Sequence, residues 1–366
     1  MEFDPKKFSE VARLNLEEDT ARIGAMYRIS PRQNFLFSTI YTHQDADVIE
    51  DLGSDFPFYG DQRSHGYQVE AQHILRKDRV NVITGGGIYR TNLTNDFRKN
   101  TEPLICMMMG CEKSKADREQ NVAYLYSNLN ILKNVMATLG FSYQAYSNDA
   151  GGINRKVSEF DPKIGLQVDF HKNVRLRMAW FEALKRDLIG QATIEPTQIA
   201  GFNQFYDEMT GTKSRHKAVG LDIHFANAVY GGVEVSERDL DVPVIPELGV
   251  SDRDYYWDKQ KEQLLRGYVY GTFRPNWVVA IEPEYEKFDR KERYADLPTN
   301  IHTLRAPISV SYFDQNGFWA KLTGTYVMQD VKWARFDEDT WLGWIEKKDS
   351  NFFLLDMVAG YRLPKR

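Results

Sequence analysis

From Thr20 onward, apolar and polar residues alternate with period two in segments of about a dozen residues. Val174, Leu176, Met178 and Trp180 interleave with Arg175, Arg177 and Ala179, and Val219, Leu221, Ile223 and Phe225 with Ala218, Gly220, Asp222 and His224. Further on, Trp277, Val279, Ile281 and Tyr285 share one parity, while Ala280, Glu282, Glu284 and Glu286 take the other. Near the end, Phe353, Leu355, Met357, Ala359 and Tyr361 alternate with Leu354, Asp356, Val358, Gly360 and Arg362. Successive side chains of a strand point to opposite faces, so each set forms one face of a sheet. One face is apolar and the other accepts charge, which is the pattern of a barrel with lipid outside and water inside. The segment length is that of a tilted strand crossing a bilayer, about twice the five or six residues usual in soluble sheets.

Tight turns are expected at Ser30-Pro31-Arg32, Arg76-Lys77-Asp78, His171-Lys172-Asn173, Arg274-Pro275-Asn276 and Asp314-Gln315-Asn316, with others near 130–133 and 226–228. Long loops are expected near 45–64, 92–118, 188–213, 241–258 and 332–350. Short turns alternating with long loops match a barrel's periplasmic and external rims. The pattern predicts an all-β fold: an antiparallel transmembrane β-barrel of about sixteen strands, fifteen clear and one weak across Phe8 to Leu16. Residues 1–18 are then an N-terminal segment with a possible first strand, and residues 19–366 the outer-membrane barrel domain, truncated at one or both ends. Gly85-Gly86-Gly87 falls mid-strand, where missing side chains relieve close packing or curvature.

Composition refines this picture. Mean hydropathy is −0.53, and no run of 18 apolar residues exists to form a transmembrane helix. Spanning strands need no such run, because only alternate residues meet lipid. Aromatic residues make up 13% of the chain, and Tyr41, Tyr143, Trp180, Phe225, Trp277, Tyr285, Phe318, Tyr326 and Tyr361 suit interfacial girdles. The net charge of −5 gives no reason to expect nucleic acid. Cys106 and Cys111 read as a small loop disulfide or an inert pair, since two thiols make no complete metal site. The start Met1-Glu-Phe-Asp-Pro-Lys-Lys is no secretory signal, so the chain reads as a piece of a longer precursor or an excised domain.

The polar face would carry Arg22, Glu70, Lys163, Asp169, Arg175, Arg177, Asp222, His224, Glu234, Arg238, Arg266, Glu282, Glu284, Glu286, Arg305, Lys321, Asp356 and Arg362. Such a lining is either a selectivity surface for a polar solute or a self-compensating network that keeps the lumen wet. The mixed signs favour the second reading. Glu282, Glu284 and Glu286 need cationic neighbours, which arginines on an adjacent strand would supply. Acidic groups at Asp45, Asp47, Glu50, Asp51 and Asp55, and at Asp337, Glu338 and Asp339, lack the spacing of a calcium loop and read as solvated. No nucleophile, metalloprotease or phosphate-loop motif occurs, so no enzymatic role, cofactor or metal is expected.

The run LIGQATIEPTQIAGFNQFYDEMTGTKS at 188–214, with FDPKIGLQVDFHKNVRLRMAWFEALKR before it and GGVEVSERDLDVP and DMVAGYRLPKR after it, resembles a family of large bacterial outer-membrane proteins. These carry N-terminal tetratricopeptide repeats and a C-terminal barrel, and are sometimes labelled TonB-dependent receptor-like. The resemblance implies a Gram-negative outer-membrane location and up to 18 strands in the full-length protein. It implies as partners membrane lipid and lipopolysaccharide, a hydrophilic solute or polymer, and a periplasmic repeat domain outside this chain. The leading function is a polar pore for transport or export of a hydrophilic solute or polymer, and the resemblance implies polysaccharide as one such polymer. An anchoring protein or a TonB-dependent-type receptor fragment with an obstructed lumen comes second. The 188–213 segment would be an external loop. Phe202, Asn203, Phe205 and Tyr206 make it aromatic for a solvated loop, so it either folds inward as a constriction or packs at the rim.

Overall fold

The computed structural model describes residues 13–50, 58–99, 112–150, 153–189, 192–204, 208–226, 228–244, 256–291, 297–337 and 342–363. Every regular element among them is a strand. In chain order these are β1 (Arg13–Ser30), β2 (Gln33–Glu50), β3 (Phe58–Lys77), β4 (Val80–Lys99), β5 (Glu112–Leu132), β6 (Val135–Ala150), β7 (Ile153–His171), β8 (Val174–Leu184), β9 (Gln198–Ile199) and β10 (Phe202–Asn203). There follow β11 (Lys213–Ala226), β12 (Val229–Val244), β13 (Tyr256–Arg274), β14 (Trp277–Ile281), β15 (Glu284–Arg290), β16 (Leu297–Phe313), β17 (Phe318–Asp337) and β18 (Leu342–Tyr361). Sixteen are strands of antiparallel sheet, and β9 and β10 form a separate small hairpin.

Two compact units emerge. The first comprises Met1–Asn128, Gly140–Pro162 and Leu184–Pro196, and the second Leu129–Leu139, Lys163–Ala183 and Thr197–Arg366. In the first, β1, β2, β3 and β4 pair in chain order with little slippage. In the second, the meander runs from the turn-proximal half of β7 through β8, and from β11 to β18. β14 and β15 lie in series between β13 and β16, so the sixteen sheet strands fill fifteen places. The break falls at Glu282-Pro283, where proline has no N–H for the ladder. The register holds across it: Ile281 faces Val269 and Glu284 faces Arg266.

All seven expected turns fall between paired strands. Three expectations are modified. Of the weak strand expected across Phe8 to Leu16, residues 13–16 open β1, which pairs with β2 in the first hairpin, and Phe8 to Ala12 lie outside the described residues. Four of the expected long loops are shorter than their polarity suggested. β2 runs to Glu50 and β3 starts at Phe58, and β4, β5, β12, β13, β17 and β18 likewise continue through polar sequence. Water on both faces removes the alternation there, but ladder bonds still form. The third concerns 188–213, whose described residues include the small hairpin of β9 and β10.

In the second unit the face change is sharp. Val219, Val235, Leu265, Tyr285, Leu304 and Met328 are direct partners across β11, β12, β13, β15, β16 and β17. One step further along the same face, Lys217, Glu237, Gln263, Lys287, His302, Asp330 and Asp349 are also direct partners. Below this line the face stays apolar and exposed, with Val235 at 54%, Ile308 at 52% and Phe273 at 70%. A band of this size is foreign to a water-facing surface and suits lipid. Eight of the nine proposed girdle aromatics are exposed.

Candidate functional site

The other face of the sheet is polar and is covered in both units by the chain between β8 and β11. In the first unit Leu184–Pro196 lies on β3, β4 and β5. Gln68, Glu70 and Gln72 alternate along β3 and point at this segment. Gln68 donates from Nε2 to the Ala192 carbonyl at 2.8 Å, and its Oε1 accepts the Ile189 N–H at 3.2 Å. Gln72 donates to the Ile194 carbonyl at 2.5 Å. The Glu70 carboxylate accepts from Gln68 Nε2 and Tyr89 Oη at 2.8 Å each, from Thr193 Oγ1 at 2.5 Å and from the Ile194 N–H at 3.1 Å. Arg186, 1% exposed, donates to Tyr89 Oη at 3.1 Å and to Glu195 Oε2 at 2.5 Å, and Tyr126 donates to the other Glu195 oxygen. A buried charge is tolerable only when paired and hydrogen-bonded, as these are. Gly85 and Gly87 make room: a Cβ at Gly85 would lie 2.5 Å from Tyr124 Oη, and one at Gly87 3.0 Å from Glu70 Cγ.

In the second unit β9 and β10 form a hairpin whose two-residue turn, Ala200-Gly201, has φ of 49° and 88°. Positive φ at both central residues is the type I′ pattern that matches strand twist. Phe202 is buried at 2%, with the Arg177 guanidinium 4.7 Å from its ring centroid. That guanidinium grips Asp222 bidentately at 2.7 and 3.1 Å and stands 3.5 Å from Glu234, while Tyr268 donates to Asp222. The hairpin fits because β7 and β11 present glycines. A Cβ on Gly165 would meet Ala200 Cβ at 2.9 Å, and one on Gly220 would meet Arg177 Nη2 at 2.9 Å.

Arg177 is four positions past Asn173 and Gln72 five before Lys77, about 13 and 17 Å from their turns at roughly 3.3 Å per residue. In each unit the segment thus contacts its strands within the height that an apolar band about 25 Å tall would cover.

The remaining sequence-selected residues form a compensated wall. Glu234, Arg266, Glu284 and Arg305 are successive direct partners across β12, β13, β15 and β16. Arg305 binds Glu284, and Arg266 lies 3.3 Å from Glu282. Glu286 stands opposite Leu264 and Thr303, with no cation in register. Arg175 pairs bidentately with Asp169 at 2.6 and 3.1 Å. His224 stacks on Tyr230 at 6.0 Å, apart from the ion pairs. Asn203 is exposed at the hairpin end. Asp45 sits in β2 beside Arg63 at 3.6 Å, in a strand pair and not a loop. Phe205, Tyr206, Cys106, Cys111, Asp51, Asp55, Glu338 and Asp339 lie outside the described residues. Among the described residues no group of three or more His, Cys, Asp or Glu is placed to hold a metal. Gln68, Gln72, Arg186 and Glu195 were missed from sequence, because only the long-range contact distinguishes them from ordinary polar residues.

A family model described as TonB dependent receptor-like, beta-barrel, matches residues 3–232. Among solved structures, the chain resembles the ferric-catecholate import receptor Fiu of E. coli K12, with TM-score 0.56 and 10% identity over 96% of this chain and 65% of that one. It also resembles the siderophore receptor PiuA of Acinetobacter baumannii, with TM-score 0.64 and 9% identity over 97% and 59%. A third is the ferripyoverdine receptor of the Pseudomonas aeruginosa outer membrane, with TM-score 0.62 and 11% identity over 95% and 50%. The chain thus spans 50–65% of the length of these three structures, and at such identities the likeness is one of fold. No curated protein matches.

Proposed function

Because the chain belongs to the TonB-dependent receptor-like β-barrel family, whose barrels are outer-membrane transport proteins, we propose that its polar face lines the path of a hydrophilic solute and that residues 184–204 obstruct that path until displaced. The observation that carries this reading is the depth of the segment, seated on Gln68, Glu70 and Gln72 in one unit and on Arg177 in the other. It favours a gated receptor over the open export pore expected for polysaccharide. Three of the similar structures are a ferric-catecholate import receptor, a siderophore receptor and a ferripyoverdine receptor, which supports uptake as the direction. The in-register charge pairs support a wetted wall without ion preference, and the chain then acts as a passage and not as a catalyst.

The test is single-channel recording in planar bilayers with the chain and with a variant whose residues 185–204 are replaced by a short Gly/Ser linker. The unaltered chain should give no stable open steps, and the variant should give steps with little cation or anion preference. Equal conductance from both would remove the obstructing role.

A further inference from the structure

We propose that the polar face of β3 is a recognition surface for peptide backbone, occupied in this structure by Leu184–Pro196 as a built-in ligand. The cargo that replaces this segment is then a peptide or a peptide-like solute bearing amides. This deepens the preceding reading and rests on it for the idea that the covered face lies on the solute's path.

The argument starts from which atoms are bound. Gln68, Glu70 and Gln72 make four bonds to main-chain groups of the segment: the N–H of Ile189 and of Ile194, and the carbonyls of Ala192 and Ile194. None of these four depends on a side chain of the segment. A glutamine amide offers one acceptor and a donor pair, as a peptide unit offers one of each. Three alternate side chains of β3 therefore do what the edge of a sheet does when it captures an extended peptide. Specific side chains are read separately. Gly66 leaves space for Ile189, whose Cδ1 would lie 2.9 Å from a Cβ there, and Tyr89 takes the Arg186 guanidinium.

A second observation lies on β5. Gln120 is buried at 2% and gives its amide to Gln144 at 3.0 Å, yet its Oε1 is buried with no hydrogen-bond partner. It is an acceptor waiting for an N–H on the face that also presents Tyr124 and Tyr126. A saccharide would want exposed ring faces to stack on. Here Tyr89 and Tyr124 are 1% and 2% exposed, and their hydroxyls are tied to Glu70 and Gln72.

The test uses the full chain in detergent with residues 185–196 replaced by a Gly/Ser linker, and a fluorescein-labelled synthetic peptide of the replaced sequence. Fluorescence anisotropy should show saturable binding in trans. An unlabelled peptide of the same length and unrelated sequence should compete, and maltohexaose should not. Gln68→Ala with Gln72→Ala should weaken binding about tenfold or more, the size expected for loss of three modest hydrogen bonds. No binding by a variant that retains the β-sheet circular dichroism of the unaltered chain overturns the proposal, as does competition by the saccharide alone. If the replacement fails to fold, trypsin cleavage at Arg186 in the unaltered chain serves. Added unrelated peptide should speed cleavage by displacing the segment, and an unchanged rate overturns the proposal. Conductance without peptide binding sinks this proposal alone, whereas peptide binding without conductance sinks only the passage.

Discussion

Arg175 and Arg177 are two positions apart on one face of β8, and each makes a bidentate pair with an aspartate, yet they differ in consequence. Arg175 and Asp169 are 49% and 42% exposed, whereas Arg177 and Asp222 are 12% and 24% exposed. An exposed pair contributes about 0–1 kcal/mol. Removing one partner of a buried pair costs roughly 3–5 kcal/mol, because the other charge is left without compensation. Asp222 retains some water and the Tyr268 hydroxyl, so the lower end of that range applies. We expect Arg177→Ala to lower the urea midpoint of the detergent-solubilised chain clearly, and Arg175→Ala to leave it nearly unchanged. Arg177→Lys should recover little, since an ammonium cannot make the planar two-point contact or lie flat on Phe202. Equal effects of the two alanine changes would show that burial does not set the difference. Both arginines were visible in the sequence as charges of one parity. What separated them was invisible: Asp222 is 45 positions from Arg177, and the hairpin that buries it comes from a third place in the chain.

The hairpin of β9 and β10 shows why glycines in strands must be judged one by one. Gly165 and Gly220 both face it, but the obstacles to a side chain differ in kind. At Gly220 the nearest atoms are the tip of Arg177, 2.9 Å from an added Cβ, and a long side chain can yield. At Gly165 they are Ala200 Cβ at 2.9 Å and Ile199 Cγ2 at 3.0 Å, with the Ala200 backbone nitrogen at 3.3 Å. Those atoms belong to a tight turn with positive φ at both central residues, which cannot shift without moving the hairpin. Gly165→Ala should therefore loosen the hairpin and speed proteolysis near Thr197–Asn203, while Gly220→Ala should not. Matching proteolysis rates would mean that the hairpin is held by something other than its fit to β7. Alternation in the sequence placed β7, β8 and β11 and their turns, because one apolar face repeats every second residue. It said nothing of where 188–213 goes, since that segment has no period and its partners Gln68, Glu70 and Gln72 lie more than a hundred positions away. Strand ends were misjudged for a related reason. Above the apolar band both faces meet water, the alternation stops, and only the backbone ladder continues.

The apolar band leads to a claim about the second unit, since six strands, β11, β12, β13, β15, β16 and β17, change character along one line of paired residues. Below it stand Val235, Leu304 and Met328, and directly above it Glu237, His302 and Asp330. Neighbours two apart on a strand share a face and differ by about 7 Å in position. If the line is the outer edge of the hydrocarbon, a nitroxide label should report opposite surroundings on its two sides. In a background with Cys106→Ser and Cys111→Ser, labels at Val235→Cys, Leu304→Cys and Met328→Cys should be relaxed by oxygen, which concentrates in lipid. Labels at Glu237→Cys, His302→Cys and Asp330→Cys should respond to a water-soluble nickel chelate. A label at Leu264→Cys, next to Val235 in height but on the other face, should avoid lipid altogether. The parity comparison matters most, because a water-facing sheet with a sticky surface could imitate the step in height but not the alternation. Oxygen access at 264 equal to that at 235 would mean that the two faces are not separated by a membrane. The inward position of residues 184–204 would then be packing in a protein of another kind.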